Sequence, residues 1–304
     1  MQVLSTPGWE DYELLDTGDG HRLERFGKYR LVRPDPQIIW KPRLDKSEWL
    51  KADAVFAKEK EEWQKRSDIP KKWLMRYENL AFYAELTPFK HTGVFPEQML
   101  QWSWMKNKIK NQNAKVKNST QNLKILNLFA YTGIASLVCA DAGAAVTHVD
   151  ASRPTIGWAK ENQLASKLTD KPIRWILDDA SKFVEREIKR GVRYDGILMD
   201  PPIYGHGPNG EKWNFNTSFP RLLDLCRKAL SDDPIFVLIN AYAISASSLM
   251  LENILGDFAQ GLKGEIQVGE LALEEKNSKP ARNASASAAG GRLLSTGIFG
   301  RWSK

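Results

Sequence analysis

The sequence predicts an α/β fold, a parallel sheet with helices on both faces, on three observations. From Lys124 onward short apolar runs alternate with amphipathic ones: KILNLF, IASLVCADAG, AVTHV, PTIGWAKENQLASKL, IRWIL, SKFVEREIKRG, YDGILM, SFPRLLDLCRKAL, PIFVLIN and SASSLMLENILGDFAQGL. Such alternation with short connections is the pattern of βαβ units. The turn chemistry agrees, since Pro154 opens a helix, Gly143 and Gly191 follow helix ends and Asp232-Asp233-Pro234 precedes a strand. Finally, four successive strand-like runs end in ligand-type residues, Asn127, Asp150, Asp178-Asp179 and Asp200. Open α/β sheets bind ligands at the carboxyl ends of their strands.

The first of these strand ends organises the rest. Lys124 to Asn127 carries an apolar pair into a polar turn, and Phe129, Tyr131, Thr132 and Gly133 lead into the helical run that follows. Strand, tight turn and helix place free backbone N–H groups and the positive end of a helix dipole at the sheet edge. Asp150 closes the second strand, where a carboxylate can accept ribose hydroxyls. Asp150 and Asp179 also suit helix N-caps, and one residue can serve both purposes.

A chain of 304 residues accommodates one large α/β domain and a smaller appendage. The expected division is a β-rich and helical extension over residues 1–70 and a main domain over 71–304, with its central fold from 123. Apolar content of 42% and charged content of 27% are those of a globular protein. No run reaches the length of a membrane span and the N-terminus lacks a basic-then-apolar signal, so a cytoplasmic location is expected. Cys139 and Cys226 have no partners at metal-ligand spacing, which argues against a disulfide framework or a metal site. A net charge of +7 fits a polyanionic partner such as RNA. The excess lies before the central fold, with 22 Lys and Arg against 17 Asp and Glu, compared with 22 against 20 after it.

Within the extension, short apolar patches separated by Asp-Gly and Phe-Gly turns predict small β elements up to residue 40, and Pro34 and Pro36 stop them. Lys and Glu interleaving from Asp45 to Ser67 predicts an exposed amphipathic helix. Leu74 to Phe89 reads as strands with a hairpin around Glu78-Asn79. A helix from Met99 to Met105 then runs into a lysine-rich stretch, five lysines and no acid from Lys106 to Asn122, expected to be a solvated connection able to touch phosphates. Past GEIQVGELALEE, the low-complexity KNSKPARNASASAAGG separates two final strands expected to pair antiparallel.

Taken together, N-x-F-x-Y-T-G from Asn127, V-D at Asp150, D-D-A at Asp178 to Ala180 and D-P-P-x-Y at Asp200 to Tyr204 resemble the class I S-adenosylmethionine-dependent methyltransferases. Among them they look most like the bacterial large-subunit ribosomal RNA methyltransferase group. The resemblance implies a Rossmann-like, seven-stranded sheet and S-adenosyl-L-methionine as cofactor. By the same resemblance Asn127, Phe129, Tyr131, Thr132 and Gly133 shape the loop at the methionine end, Asp150 holds the ribose, and Asp179 holds the adenine amino group with Ala180 beside it. Asp178 is the rival of Asp179 for that role. Phe95 and Gln98 belong to a segment that in the group lies across the cofactor, although Pro96-Glu97 departs from its commoner pattern.

Asp200, Pro201, Pro202 and Tyr204 carry the expected catalysis. Two prolines fix the carboxylate and a backbone carbonyl, while the tyrosine offers a face on which a base turned out of its helix can stack. The glycine-rich run from Gly205 to Trp213 reads as a loop that closes over substrate, with His206 a further candidate proton acceptor. No cysteine follows the strand IFVLIN, so cytosine C5 chemistry is not expected, and a base nitrogen in ribosomal RNA is. Asn240 and Tyr242 line that edge instead. Alternatives are a methyltransferase for a protein side chain or small molecule, a nucleotide-dependent oxidoreductase, which the missing G-x-G-x-x-G disfavours, and a non-catalytic RNA-binding protein.

Overall fold

The computed structural model describes residues 1–115, 122–242, 246–276 and 291–304. They form two compact units, one of Met1–Leu4, Leu100–Leu271 and Thr296–Lys304, the other of Ser5–Met99 and Ala272–Ser295. The sequence expectation drew its line at residue 70; the chain instead passes between units at Met99, and a late segment returns to the N-terminal unit.

The larger unit holds the sheet. Its strands are β1 (Gln2–Thr6), β9 (Lys124–Leu128), β10 (Ala145–Asp150), β11 (Ile173–Leu177), β12 (Gly196–Met199), β15 (Phe236–Ala241), β16 (Glu265–Glu274) and β17 (Leu293–Ser303), in spatial order β1-β16-β17-β15-β12-β9-β10-β11. Both β16 and β17 run on into the other unit. The five central strands are parallel, with Leu126 opposite Thr147 and Ile197, and Met199 opposite Ile239. The last strand, β17, runs antiparallel to β15, pairing Leu238 with Arg301. Eight strands replace the expected seven because β1 adds an outer edge beside β16.

Helices α3 (Ile134–Asp141), α4 (Arg153–Ala165), α5 (Ala180–Lys189), α6 (Phe215–Ala229) and α7 (Ser248–Phe258) connect the strands, and α2 (Met99–Lys115) precedes them. Strand residues alternate between two faces. Leu126, Leu128, Ile197, Met199, Val237 and Ile239 join Phe183, Val184, Phe219, Leu222, Leu251 and Leu255 of α5, α6 and α7 in one buried cluster. Each such side chain contributes about 1.5–3 kcal/mol of burial. On the other face Trp104 of α2 lies 5.4 Å from the Phe236 ring. Helix α2 reaches Lys115, longer than expected, because Trp102, Met105 and Ile109 keep a helical spacing of buried positions through the lysines. Residues 116–121 of the expected connection, and most of the low-complexity run, lie outside the described residues.

The N-terminal unit is built on β2 (Tyr12–Gly18), β3 (His21–Phe26), β4 (Tyr29–Pro34), β5 (Ala54–Ala57) and β6 (Glu62–Lys65), one sheet in that order, with a separate hairpin of β7 (Lys72–Tyr77) and β8 (Leu80–Glu85). The expected helix over 45–67 is corrected. Only α1 (Lys46–Leu50) is helical there, and the rest forms β5 and β6. Lys–Glu pairs support a helix by only about 0.2–0.5 kcal/mol each, while Ala54 and Phe56 are buried in alternation and Phe56 meets Trp63 across the strands at 5.4 Å. A buried carboxylate, Glu24, anchors the sheet interior. It takes two hydrogen bonds of 2.7 Å from Arg33 and one of 2.9 Å from the Tyr12 hydroxyl. Among the described residues no helix is long and apolar enough to cross a membrane.

Candidate active site

The turn after β9 has an unusual backbone. Phe129, Tyr131 and Gly133 all have positive φ, at 57°, 50° and 83°. Two of them are not glycine, which costs roughly 1–3 kcal/mol each and tends to persist where a loop is shaped for a ligand. Gly133 is required twice over, because a Cβ there would lie 2.9 Å from the Ala159 Cβ. The turn is held by the Ala130 N–H donating to the Val149 carbonyl at 3.1 Å and by the Tyr131 N–H donating to Asp150 Oδ2 at 2.8 Å.

Asp150 ends β10 and is already well employed. Its Oδ1 accepts from the Ser152 N–H at 2.8 Å and the Thr155 hydroxyl at 3.0 Å. Three donors therefore share the carboxylate, and the Ala151 backbone N–H adds a fourth favourable interaction. Burial pushes the Asp150 carboxyl up, and the Ser152 and Tyr131 amides and the Thr155 hydroxyl pull it back.

After β11 the two aspartates diverge. Asp178 is ion-paired with Arg186 and accepts the Asp179 N–H at 2.9 Å. Asp179 caps α5 with one oxygen, accepting the Lys182 N–H at 2.9 Å. Its second oxygen accepts no hydrogen bond among the described residues. Ala180 is buried in the cluster with Phe183 and Val184.

Asn127 and Thr132 sit deeper than a loop contact would. The Asn127 amide donates to Ser136 Oγ at 2.9 Å, and that oxygen is 3.1 Å from His148 Nδ1, a buried chain bracing α3 against β9 and β10. The Thr132 carbonyl accepts from Asn162 at 2.9 Å. Burial drives the His148 imidazole down to about 3, so it stays neutral at physiological pH.

Past β12 the Asp200 N–H donates to the Leu128 carbonyl at 3.3 Å, keeping the D-P-P turn beside the first turn. The glycine-rich run is a hairpin of β13 (Tyr204–His206) and β14 (Lys212–Asn214), not an open loop. Trp213 anchors it. Its indole N–H donates to the Pro202 carbonyl at 2.7 Å, and its ring lies 4.7 Å from that of Phe129. At the tip, Glu211 pairs with Lys182 at 2.7 Å, so the hairpin is tied to α5. Tyr204 is 73% exposed and His206 is exposed. Neither Trp213, Thr155 nor the Lys182–Glu211 pair was singled out from the sequence. A tryptophan closing a glycine-rich run was the one available signal.

Phe95 and Gln98 fall in the N-terminal unit. Phe95 precedes a short 3-10 turn, Pro96–Gln98, with its ring 5.3 Å from the His91 ring; Gln98 is buried. Both cysteines are buried, and burial pushes Cys139 up to about 12 and Cys226 higher still.

No family model matches the sequence. Curated relatives include the ribosomal RNA large subunit methyltransferase K/L of Alteromonas mediterranea, 30% identical over 206 residues, 62% of this chain and 27% of that protein. Another is the ribosomal RNA large subunit methyltransferase K of Neisseria meningitidis serogroup B, 24% identical over 259 residues, 79% of this chain and 67% of that protein. The chain thus spans about a quarter of the first of these and two thirds of the second. Among solved structures, a putative methyltransferase complexed with SAH, SMU.776, is 16% identical with a TM-score of 0.66, covers 98% of this chain and 76% of that one, and shows the shared fold alone. The SAM-dependent methyltransferase from Agrobacterium tumefaciens is 40% identical, with a TM-score of 0.91 over 100% of this chain and 93% of that one. On that likeness, the chain belongs to the S-adenosylmethionine-dependent methyltransferases.

Proposed function

We propose that the enzyme methylates a base nitrogen in ribosomal RNA, at the turn formed by Asp200, Pro201, Pro202 and Tyr204. The exposed Tyr204 ring, four residues beyond Asp200, carries the reading. An exposed aromatic four residues from a carboxylate suits a flipped base, whose stacking is worth about 1–3 kcal/mol. The similarity to curated ribosomal RNA methyltransferases over most of this chain supports RNA, and a cytoplasmic workplace goes with it.

The residues present fit the cofactor. Gly133 gives the α3 N-terminus its left-handed turn, Asp150 ends β10 bonded to that turn, and Asp179 has one oxygen that accepts no hydrogen bond among the described residues, which suits an adenine amino group. We assign the methionine end to the Phe129–Gly133 turn, with Asn127 and Thr132 acting as braces behind it and Ala180 beside the adenine. S-adenosylmethionine, when bound, supplies a sulfonium methyl group open to in-line displacement. The protein's part is alignment. Asp200 accepts a hydrogen bond from the acceptor N–H and directs the nitrogen lone pair to the methyl carbon. The Asp200 carboxylate, or water beside it, would take the surplus proton that the nitrogen gives up when it accepts the methyl group. Buried thiols with raised pKa values support nitrogen over a carbon route that needs a cysteine nucleophile.

The test is transfer of labelled methyl from S-adenosylmethionine to total RNA, with Asp200→Ala and Tyr204→Ala as controls. Label in ribosomal RNA, abolished by the first change and weakened by the second, is expected. Cofactor binding without any RNA labelling would redirect the search to a protein side chain or small molecule.

A further inference from the structure

We propose that Trp213 is a positioning residue for methyl transfer, holding the proline turn so that the Pro201 carbonyl and the Asp200 carboxylate together grip the acceptor nitrogen. This rests on the reading of Asp200 as the acceptor's partner. Two carbonyls follow Asp200, and either one could in principle receive an acceptor N–H. The Trp213 indole N–H takes the second, donating to the Pro202 carbonyl at 2.7 Å. The Pro201 carbonyl accepts no hydrogen bond among the described residues.

Burial and two further contacts make Trp213 a fixed strut. It is buried, its ring packs on Phe129 at 4.7 Å, and it pairs with Gly205 across the hairpin. Phe129 belongs to the cofactor turn, so one indole links the turn assigned to the methyl donor with the turn assigned to the acceptor. In-line displacement tolerates little misplacement, and an error of about 1 Å can cost on the order of a hundredfold in rate.

Trp213→Phe tests this, because it keeps an aromatic ring against Phe129 and removes the N–H together with part of the indole surface. Crystals of the wild type and the variant with S-adenosylhomocysteine should show the Pro201–Pro202 carbonyls reoriented or disordered in the variant. On ribosomal RNA, kcat should fall at least about tenfold while the KM for S-adenosylmethionine and the melting temperature stay near wild type. An unmoved turn with unchanged kcat overturns the proposal. So does a kcat loss that merely tracks lost stability and lost cofactor binding, since that is a packing role. If the wild type labels no RNA, the RNA reading fails on its own, and the crystallographic comparison alone decides the role of Trp213.

Discussion

Lys182 and Glu211 join at 2.7 Å, pinning the tip of the β13–β14 hairpin to the first turn of α5, three residues from Asp179. The Glu211 carboxyl is held down to about 2 by that lysine and by backbone N–H groups, its own and that of Asn209. A depressed carboxyl contributes stability that is fully present above its unfolded value of 4.5 and is lost as pH falls towards 2. Glu211→Gln should therefore lower the melting temperature by an amount constant above pH 4.5 and shrinking below it. The variant should also be cut faster by protease between Gly207 and Gly210, measured against wild type on gels.

Gly133→Ala should harm both stability and cofactor binding. The left-handed backbone costs an L-residue about 1–2 kcal/mol, and the contact with Ala159 at 2.9 Å adds to it. Thermal unfolding should shift down by several degrees, and calorimetry should show weakened S-adenosylmethionine binding.

The two neighbouring aspartates should separate cleanly. Asp179→Ala loses the α5 cap, about 1 kcal/mol, together with the proposed adenine contact. Asp179→Ser keeps a capping oxygen, so it should recover the melting temperature without recovering cofactor affinity by calorimetry. Asp178→Ala removes the partner of a partly exposed Arg186 and should leave cofactor affinity within a few fold. Equal losses at both positions would discard the assignment to Asp179.

His148 should stay neutral far below its ordinary value. Its imidazole is buried and driven down to about 3, so the unfolded chain takes up a proton below 6.5 that the folded protein refuses. Stability tied to this group is thus lost as pH falls from 6.5 towards 3. Nuclear magnetic resonance of the ring protons should show no titration above pH 4, and the acid limb of unfolding should be less steep in His148→Phe.

Much of the fold was legible because the alternation of runs after Lys124 has few competing interpretations. The parallel core and the antiparallel final strands follow from it. Residues 45–67 misled for a physical reason: charge interleaving at Lys58 to Glu62 looks helical, while the buried alternation that decided the outcome spans only the four residues of β5. The apolar runs also put Asp150 at the end of β10 and Asp179 and Asp200 just past β11 and β12, where the structure has them. What periodicity does not carry is the hydrogen-bond commitment of each side chain. It could not distinguish Asp178, spent on Arg186, from Asp179, nor show that Asn127 bonds Ser136 inside the protein. Trp213 was hidden likewise, because its role depends on a hairpin fold that brings it back to Pro202 across eleven residues.

The position of β17 bears on how the protein is made. Leu293–Ser303 is synthesised after every other strand of the sheet, yet its slot lies between β15 and β16. A nascent chain paused before residue 293 has every other strand and a gap where the ladder should close, with β15 presenting an unpaired edge to the ribosome exit and to other chains. Such edges recruit foreign strands, and pairings this distant along the sequence form slowly. Closure of the sheet therefore waits on the last of its strands to be made, and chaperone demand should peak in the interval between the emergence of β15 and that of β17.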